Sequence, residues 1–369
     1  MCEVHTYLLA VRGIFSNFAT MPQQLTIKQI ATLAGVSVGT VDRVLHNRGR
    51  VSPEAMAAVK AVLETHSYRY NLHTSAVAFK KTKKSFSIAI SIPSSEKGEY
   101  WDIIRSGLDK AFREYGDISI RSEYVFFDQF NALSCREAFE SIAAKDYSAV
   151  ILGTTFVDET VTLCGKLDEK HIPYIFVDGK VPGTNPIASY IADQEVCGRL
   201  LARLMDGLTA EGDELALLIP HRVGARISNN SAIRMQAFKS YFAEHRKDRV
   251  IREGFYSASS PELTRSEISA FLEENPRVGG VAAVISTGYI ISDALSDIGK
   301  KAVVGGFDVT EGNARCVREG ALDFLIDQHP EQQGFNAVES LLHYLLYGVP
   351  DETLREHTPI DIVFLENLG

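Results

Sequence analysis

Few residues in this chain are arranged for bond-making chemistry. Its ten histidines form no HExxH, no serine sits in a GxSxG turn, and there is no GxxxxGK[ST] loop. Zinc hydrolysis, acyl transfer and nucleotide phosphate binding therefore lack their usual groups, and no catalytic role is expected. The five cysteines, Cys2, Cys135, Cys164, Cys197 and Cys316, are scattered, with no CxxC and no histidine at metal spacing. That fits a reducing compartment and argues against structural zinc; no metal and no cofactor is expected. Asp178-Gly179, after IPYIFVD, reads as a turn. What remains is recognition chemistry. Arg43 carries a planar fork that matches O6 and N7 of guanine, and Asp42 beside it can accept from a cytosine amine or order Arg43 by pairing.

Those two residues belong to the stretch LTIKQIATLAGVSVGTVDRVLHNRGR, Leu25 to Arg50. Thr26 can cap a first helix whose Ile27, Ile30 and Ala31 share one face. Ala34-Gly35 ends it, because glycine readily takes the backbone angles of a tight turn. Ser37 then caps a second helix, Val38 to Leu45, with Val41, Val44 and Leu45 inward and Val38, Gly39, Thr40, Asp42 and Arg43 at its start or outer side. This is a helix-turn-helix, whose second helix can enter the major groove of double-stranded DNA. An ordinary helical hairpin is the alternative. Ser52-Pro53-Glu54 opens a third helix with a cap, a proline at the first position and an acid in the first turn.

Charge separates this head from the rest. The whole chain of 369 residues carries -9, yet residues 21–85 hold ten basic against three acidic side chains, and 86–369 hold 27 against 43. A basic head on an acidic body suits a protein whose head alone touches phosphate. The candidate DNA contacts are Thr26, Ser37, Val38, Gly39, Thr40, Asp42, Arg43, His46, Asn47 and Arg50, followed by Asn71 and Val77 in a short helix candidate, LHTSAVAF, before four lysines. Residues 1–20 lack a basic signal-peptide start, and Met21 looks like a natural beginning. The leader is expected to be disordered or untranslated. No run reaches the length of a membrane span, so no membrane association and a cytoplasmic location are expected.

KQIATLAGVSVGTVDRVLHNRGRVS resembles the headpiece of the lactose repressor family of bacterial regulators. Ala31, Ala34, Gly35, Val36, Ser37, Thr40, Val41, Arg43 and Val44 match its pattern; Asp42 stands where serine is usual, and His46 where asparagine is usual. The resemblance implies that residues 71–85 form a hinge helix that pairs across a dimer and wedges into the minor groove. By this register Val77 replaces the usual leucine and Tyr70 the usual proline.

From Phe86 the pattern alternates short apolar strands with helix candidates: strands near 85–92, 118–127, 147–152, 172–177 and 187–192, and helices at 103–115, 131–144 and 158–169. A second series runs through helix 194–208, strand 214–219, helix 230–245, strand 249–255, helix 261–274, strand 280–286, helix 289–298 and strand 302–307. A last strand is read at 360–365. Such alternation means parallel sheets, and its length exceeds one comfortable core. The expected fold is a small all-α helix-turn-helix headpiece plus a two-lobed α/β body. The body resembles the type-I periplasmic sugar-binding fold of the same family. That implies lobe one at 86–193 with 328–350 and lobe two at 194–327 with 351–369, a ligand between them, and a headpiece at 21–70.

Ligands of open α/β sheets lie beyond the carboxyl ends of strands. Asp308 ends the strand VVGGF, resembling the family's G-[YF]-D, and its carboxylate can accept two sugar hydroxyls. Arg234, in RMQAF, resembles the family's R-x-x-[GA]-F. It could instead pair with a neighbouring acid, Glu244 or Asp308. Asp193 precedes Gln194-x-x-x-Gly198 and resembles the first crossover; Gln328 resembles the next. Tyr100 and Trp101 follow the first strand, where aromatic residues in relatives face ligand, although Trp101 would also suit a core. Thr287 stands where most relatives carry asparagine, so the ligand should differ while remaining sugar-like. These residues together imply a ligand-responsive transcription regulator, most simply a repressor acting as a homodimer on a near-palindromic operator. A solute-binding module without a regulatory role, or an architectural DNA protein without a small ligand, are the alternatives. Neither accounts for both the basic head and the cleft residues.

Overall fold

The computed structural model describes residues 25–45, 51–65, 85–116, 118–223, 228–258, 260–348, 350 and 357–369. The expected leader, the hinge segment through residue 84, and the candidate contacts His46, Asn47, Arg50, Asn71 and Val77 lie outside these residues. The chain divides into two units, Met1–Asn71 and Leu72–Gly369.

In the first unit, α1 (Ile27–Leu33), α2 (Val38–Leu45) and α3 (Pro53–Thr65) enclose a miniature core. Thr26 and Gln29 cap α1 reciprocally: the Gln29 N–H donates to the Thr26 hydroxyl at 3.3 Å, and the Thr26 N–H to Gln29 Oε1 at 2.8 Å. The chain then turns at Gly35, where φ is +65°, a conformation costly for a residue with a Cβ. Ser37 accepts from the Thr40 N–H at 3.0 Å and starts α2. Ile30, Ala31, Val41 and Val59 are buried, with Ile27, Val36, Val44, Val62 and Leu63 packed around them.

The second unit holds two sheets. The first is wholly parallel, in order β2-β1-β3-β4-β5: β1 (Phe86–Ser91), β2 (Ile120–Tyr124), β3 (Ala149–Gly153), β4 (Tyr174–Val177) and β5 (Ser189–Tyr190). Alternation along β1 sends Ile88 and Ile90 to one face, against α4 (Tyr100–Glu114) and α12 (Pro330–Tyr347). Ala89 goes to the other, against α5 (Ala132–Ala143) and α6 (Val157–Glu169). With both faces covered, β3 and β4 are apolar throughout.

The second sheet runs β11-β10-β9-β8-β6-β7, from β6 (Glu214–His221), β7 (Ile251–Ser257), β8 (Val278–Ala283), β9 (Val303–Phe307), β10 (Phe324–Asp327) and β11 (Asp361–Val363). Only β11 is antiparallel to its neighbour. On one side lie α7 (Gln194–Leu208) and α8 (Asn229–His245), and on the other α9 (Pro261–Glu274), α10 (Gly288–Asp297) and α11 (Glu311–Arg318). Helix starts carry side-chain caps at Asn131, Asp193, Ser228, Ser260 and Thr310.

Several boundaries depart from the sequence reading, among them the strands read at 118–127 and 280–286, which are found at Ile120–Tyr124 and Val278–Ala283. The helix expected from Ile103 begins at Tyr100, because Asp102 accepts from the Gly98 N–H at 2.9 Å and secures an extra turn. Of the strand expected at 187–192, Ser189–Tyr190 joins the sheet, and Ile191 forms an isolated parallel bridge with His357. The C-terminal strand closes at Val363 and yields to a 3-10 turn, Leu365–Asn367.

The chain passes from one sheet to the other after β5, returns after β10 and crosses again after α12. The three crossovers are bound side by side. Thr358 donates its N–H to the Ile191 carbonyl at 3.1 Å and its hydroxyl to the Gln328 carbonyl at 3.0 Å. Among the described residues, no helix is long and apolar enough to cross a membrane.

Candidate functional site

On the headpiece, α2 buries Val41 and turns its opposite face outward. Ser37, Val38, Gly39 and Arg43 are exposed, and Thr40 and Asp42 are half-buried. Thr26 is exposed at the start of α1. The cap that starts α2 also shares a hydroxyl contact, Ser37 Oγ to Thr40 Oγ1 at 2.9 Å. The outer face of α2 therefore presents a methyl-bearing side chain and a bare backbone in its first turn and one arginine fork in its last. That surface can approach base edges closely and form one bidentate contact.

In the body, carboxyl ends of strands from both sheets converge on a cavity of about 420 Å³, within the range of small-molecule sites. Tyr100 and Trp101 reach it from α4, Thr154 and Thr155 from the end of β3, and Asp178 from the end of β4. Arg222 follows β6, Tyr256 lies at the end of β7, Ser286 and Thr287 follow β8, and Gln328 follows β10; Arg234 enters from α8. The lobes are closed on each other. Arg222 donates to the Gln129 carbonyl, Val223 N–H to the Phe130 carbonyl at 2.7 Å, and Asn230 to the Asp178 carbonyl. Away from that edge, the Glu311 N–H donates to the Gly98 carbonyl at 3.2 Å.

Behind the cavity lies a buried hydrogen-bonded chain. The Gln328 amide donates to both oxygens of Asp308, each at 3.0 Å, and its carbonyl accepts from Arg234 at 2.6 Å and from Gln194 at 3.0 Å. Arg234 also donates to Gln194 Oε1 at 2.5 Å and to the Val284 carbonyl at 2.8 Å, and lies 4.1 Å over the Phe307 ring. Its position depends on Gly198: a Cβ there would come within 2.4 Å of the Arg234 carbonyl, so only glycine lets α7 and α8 approach this closely. The guanidinium is thus locked by neutral amides of the two crossovers, which pre-organises it for a ligand.

Several side chains are placed otherwise than expected. Asp308 is fully buried and is not among the cavity-lining residues; it accepts from Ser286 at 2.5 Å and from Gln328 at 3.0 Å. Asp193 is not a cavity residue either. Its carboxylate caps α7, accepting from the Glu195 N–H at 3.0 Å, and its neighbour Gln194 reaches the buried chain behind the cavity, donating to Gln328 at 3.0 Å. Arg234 pairs directly with neither Glu244, which binds Arg199 at 2.6 Å, nor Asp308. Asp178 is more than a turn: it accepts from the Tyr100 hydroxyl at 2.6 Å and faces the cavity. Trp101 is both core and lining, with 4% exposure and its indole N–H on Gln129 at 3.2 Å. Thr287 meets the Tyr256 hydroxyl at 3.1 Å.

Reading along the chain missed Asp178, Arg222, Asn230 and Tyr256. Asp178 carried a usable signal, since it ends a strand as Asp308 does. Electrostatics follow from enclosure. Burial pushes the Asp178 carboxyl up to about 6, against the pull of Arg234 and the Tyr100 hydroxyl. Burial and nearby Asp327 push Asp308 up to about 7, and burial pulls Arg222 down to about 10. Among the described residues no cluster of His, Cys, Asp and Glu could hold a metal, and Cys135, Cys164, Cys197 and Cys316 are buried free thiols.

A three-helix head with an exposed second helix, joined to two parallel sheets around a polar cleft, defines a DNA-binding regulator with a small-molecule domain. Residues 88–348 match the periplasmic binding protein domain, and residues 26–71 match the bacterial regulatory proteins of the lacI family. The chain belongs to that family of transcription regulators, not to an enzyme family. It is 25% identical over 236 residues to the ribose operon repressor of Lactococcus lactis subsp. lactis, covering 63% of this chain and 64% of that one. The chain thus spans just under two thirds of that repressor. It is 43% identical over 58 residues to the transcriptional regulator GalR of Escherichia coli (strain K12), covering 16% of this chain and 17% of that one. A Bacteroides fragilis protein assigned as a LacI transcriptional regulator superposes with a TM-score of 0.72 at 26% identity, covering 77% of this chain and 99% of that one.

Proposed function

We propose that this protein represses transcription in the cytoplasm by binding a near-palindromic operator as a homodimer, and that a sugar-like effector in the cleft shifts that binding. The observation that carries this reading is the cavity lined from both sheets, with Arg234 fixed at its wall by Gln194 and Gln328. The similarity to a ribose operon repressor supports a sugar as the class of effector. On this reading the body is lobe one, residues 86–193 with 328–350, and lobe two, 194–327 with 351–369. A ligand spanning the two favours one lobe arrangement, and only such differential binding can act on DNA. Arg43 reads one base pair, while Val38 and Gly39 offer shape and methyl contact.

The test is fluorescence anisotropy on duplexes from upstream of the gene, with a panel of monosaccharides added. Arg234→Ala is expected to abolish the sugar response and keep operator binding. Arg43→Ala should lose selectivity of about 1–3 kcal/mol at one base pair. A uniform weakening across all operator variants would instead mark Arg43 as a phosphate contact. A protein that sediments as a monomer with and without operator would exclude the dimer.

A further inference from the structure

Sheet order sets β6 and β7 at the far side of the second sheet from the crossovers beside β10 and β11. There the lobes meet through main chain. Val223, just beyond β6, donates its N–H to the Phe130 carbonyl at 2.7 Å and accepts from the Ala132 N–H at 3.1 Å, which forms an isolated parallel bridge between Asn131 and Val223. The lobe-one half of this bridge is fixed, because the Asn131 side chain accepts from the Leu133 N–H at 3.0 Å and caps α5. Arg222 precedes Val223 and sends its side chain across the same seam. It donates to the Gln129 carbonyl, and its guanidinium lies 5.2 Å from the Phe130 ring centroid and 5.6 Å from that of Phe156. Phe156 is 3% exposed and belongs to the core beneath α5 and α6. A lobe-two cation is thus seated against the lobe-one core.

Asn230 and the Glu311 N–H each cross between the lobes with a single bond, to the Asp178 and Gly98 carbonyls. Arg222 makes one bond and two ring contacts, all with lobe one. Rings attract a guanidinium more strongly where water is excluded, and its flat fork stacks where an ammonium does not. Nearby charge acts in the same direction. Asp178 and Asp128, both of lobe one, attract the cation, and burial lowers it only to about 10, so it stays charged at neutral pH. Parting the lobes would break the Gln129 bond, bare two rings and separate the cation from two carboxylates in one step.

We propose that Arg222 is a positioning residue, the bolt that seats lobe two in lobe one, and that it sets how often the cleft opens. A ligand held between the lobes leaves only when they part, so the bolt also sets the rate of effector release. That second step rests on the reading of the cleft as the effector site; the first does not. Arg222 lines the cavity and Phe156 does not. A bolt and a direct ligand contact therefore give different results at Phe156.

The Val223 and Ala132 amides are bonded across the seam, so hydrogen exchange of the full chain reads opening at those two residues without any ligand. Arg222→Met keeps an unbranched stem and removes the guanidinium. It is expected to speed exchange at both amides by about tenfold, while amides of β3 and β8, inside the lobes, keep their rates. Arg222→Lys, with a charge but no fork, should fall between parent and Arg222→Met, and it carries the test if Arg222→Met does not fold. Phe156→Leu removes one ring of the seat and should move the same two amides by a smaller factor. D-Ribose, D-glucose and D-galactose are then released from each variant in stopped flow, followed by Trp101, the single tryptophan, which lines the cavity. Release should quicken in Arg222→Met and, less, in Phe156→Leu. Unchanged exchange at Val223 and Ala132 overturns the proposal. Equal acceleration in β3 and β8 also overturns it, since Arg222 would then support the fold and not the seam. Release that quickens in Arg222→Met alone, while exchange quickens in both variants, makes Arg222 a ligand contact and overturns the claim on release. If no sugar binds, the sugar-effector reading fails, and exchange alone decides the bolt.

Discussion

The two lobes end one strand each in the same way and use the result differently. β4 runs out at Asp178 and β9 at Asp308, both with left-handed backbones, φ 58° and 62°. Each N–H donates to the carbonyl of a neighbouring strand at 3.0 Å, Asp178 to Tyr190 and Asp308 to Ile326. Each aspartate carbonyl accepts from an asparagine amide. For Asp308 the donor is Asn313 of the same lobe, at 3.0 Å; for Asp178 it is Asn230 of the opposite lobe. The carboxylates then diverge. Gln328 covers Asp308 and makes it part of the frame, whereas Asp178 is left facing the cavity. Strand-end geometry places an acid near a cleft, but the next crossover decides whether that acid meets ligand or holds the wall.

The sharpest way to break this comparison is to remove the two asparagines. Asn313 is fully buried and donates to the carbonyls of Ser286, Phe307 and Asp308 while accepting from the Tyr289 N–H at 2.8 Å. Asn313→Ala strands four backbone groups, two of them in fully buried bonds, and is expected to cost about 3 kcal/mol in denaturant unfolding. Asn230→Ala breaks a contact between lobes, so about 1 kcal/mol or less is expected, together with a larger radius of gyration of the free protein. Equal stability losses, or an unchanged radius for Asn230→Ala, would mean that both asparagines serve the frame.

The next effect is a pH dependence. Burial raises Asp308 from the ordinary carboxylate range to about 7 and Asp178 to about 6. Each folded-state carboxyl therefore holds its proton more tightly than in the unfolded chain, and each contribution to stability falls as pH rises through that window. Other carboxylates such as Glu214 and Asp297 are held down by arginines and act in the opposite sense, so the useful quantity is the difference from a variant. Asp308→Asn tolerates the left-handed backbone and is expected to remove a decline of about 2 kcal/mol between about pH 5 and pH 7. Asp178→Asn should change the slope only below about pH 6. Identical slopes for Asp308→Asn and the parent would show that Asp308 is ionised throughout.

Much of this frame was legible in residue order. The bounds of α7 and α9 coincide with their expected ranges because Asp193 and Ser260-Pro261 are local signals of a helix start. The same locality misplaced Asp193, whose capping duty and candidate ligand duty compete for one carboxylate. Arg222 offered no periodicity to read, and its role comes from Gln129, 93 residues earlier. The cover over Asp308 likewise comes from Gln328, which follows a different strand. Local propensity announces caps and strand ends. Which polar groups face a ligand depends on contacts between segments far apart in the chain.

The smallest expected effect separates frame from cavity within one lobe. Tyr256, 3% exposed, meets Thr287 through a single hydroxyl contact at 3.1 Å, and burial raises its own hydroxyl to about 12. Tyr256→Phe removes that contact and nothing of the ring packing. Thr287 lines the cavity, so its freed hydroxyl can turn toward the cleft, unlike the four groups that Asn313 would abandon. The expected cost is therefore about 1 kcal/mol, the net worth of one hydrogen bond. The freed hydroxyl also changes what a ligand meets, so effector affinity should move more than stability does. Unfolding and titration of the same preparation check this together. A loss as large as that of Asn313→Ala, with effector affinity unchanged, would place Tyr256 and Thr287 in the frame beside Asp308 and leave Asp178 as the carboxylate on which ligand recognition turns.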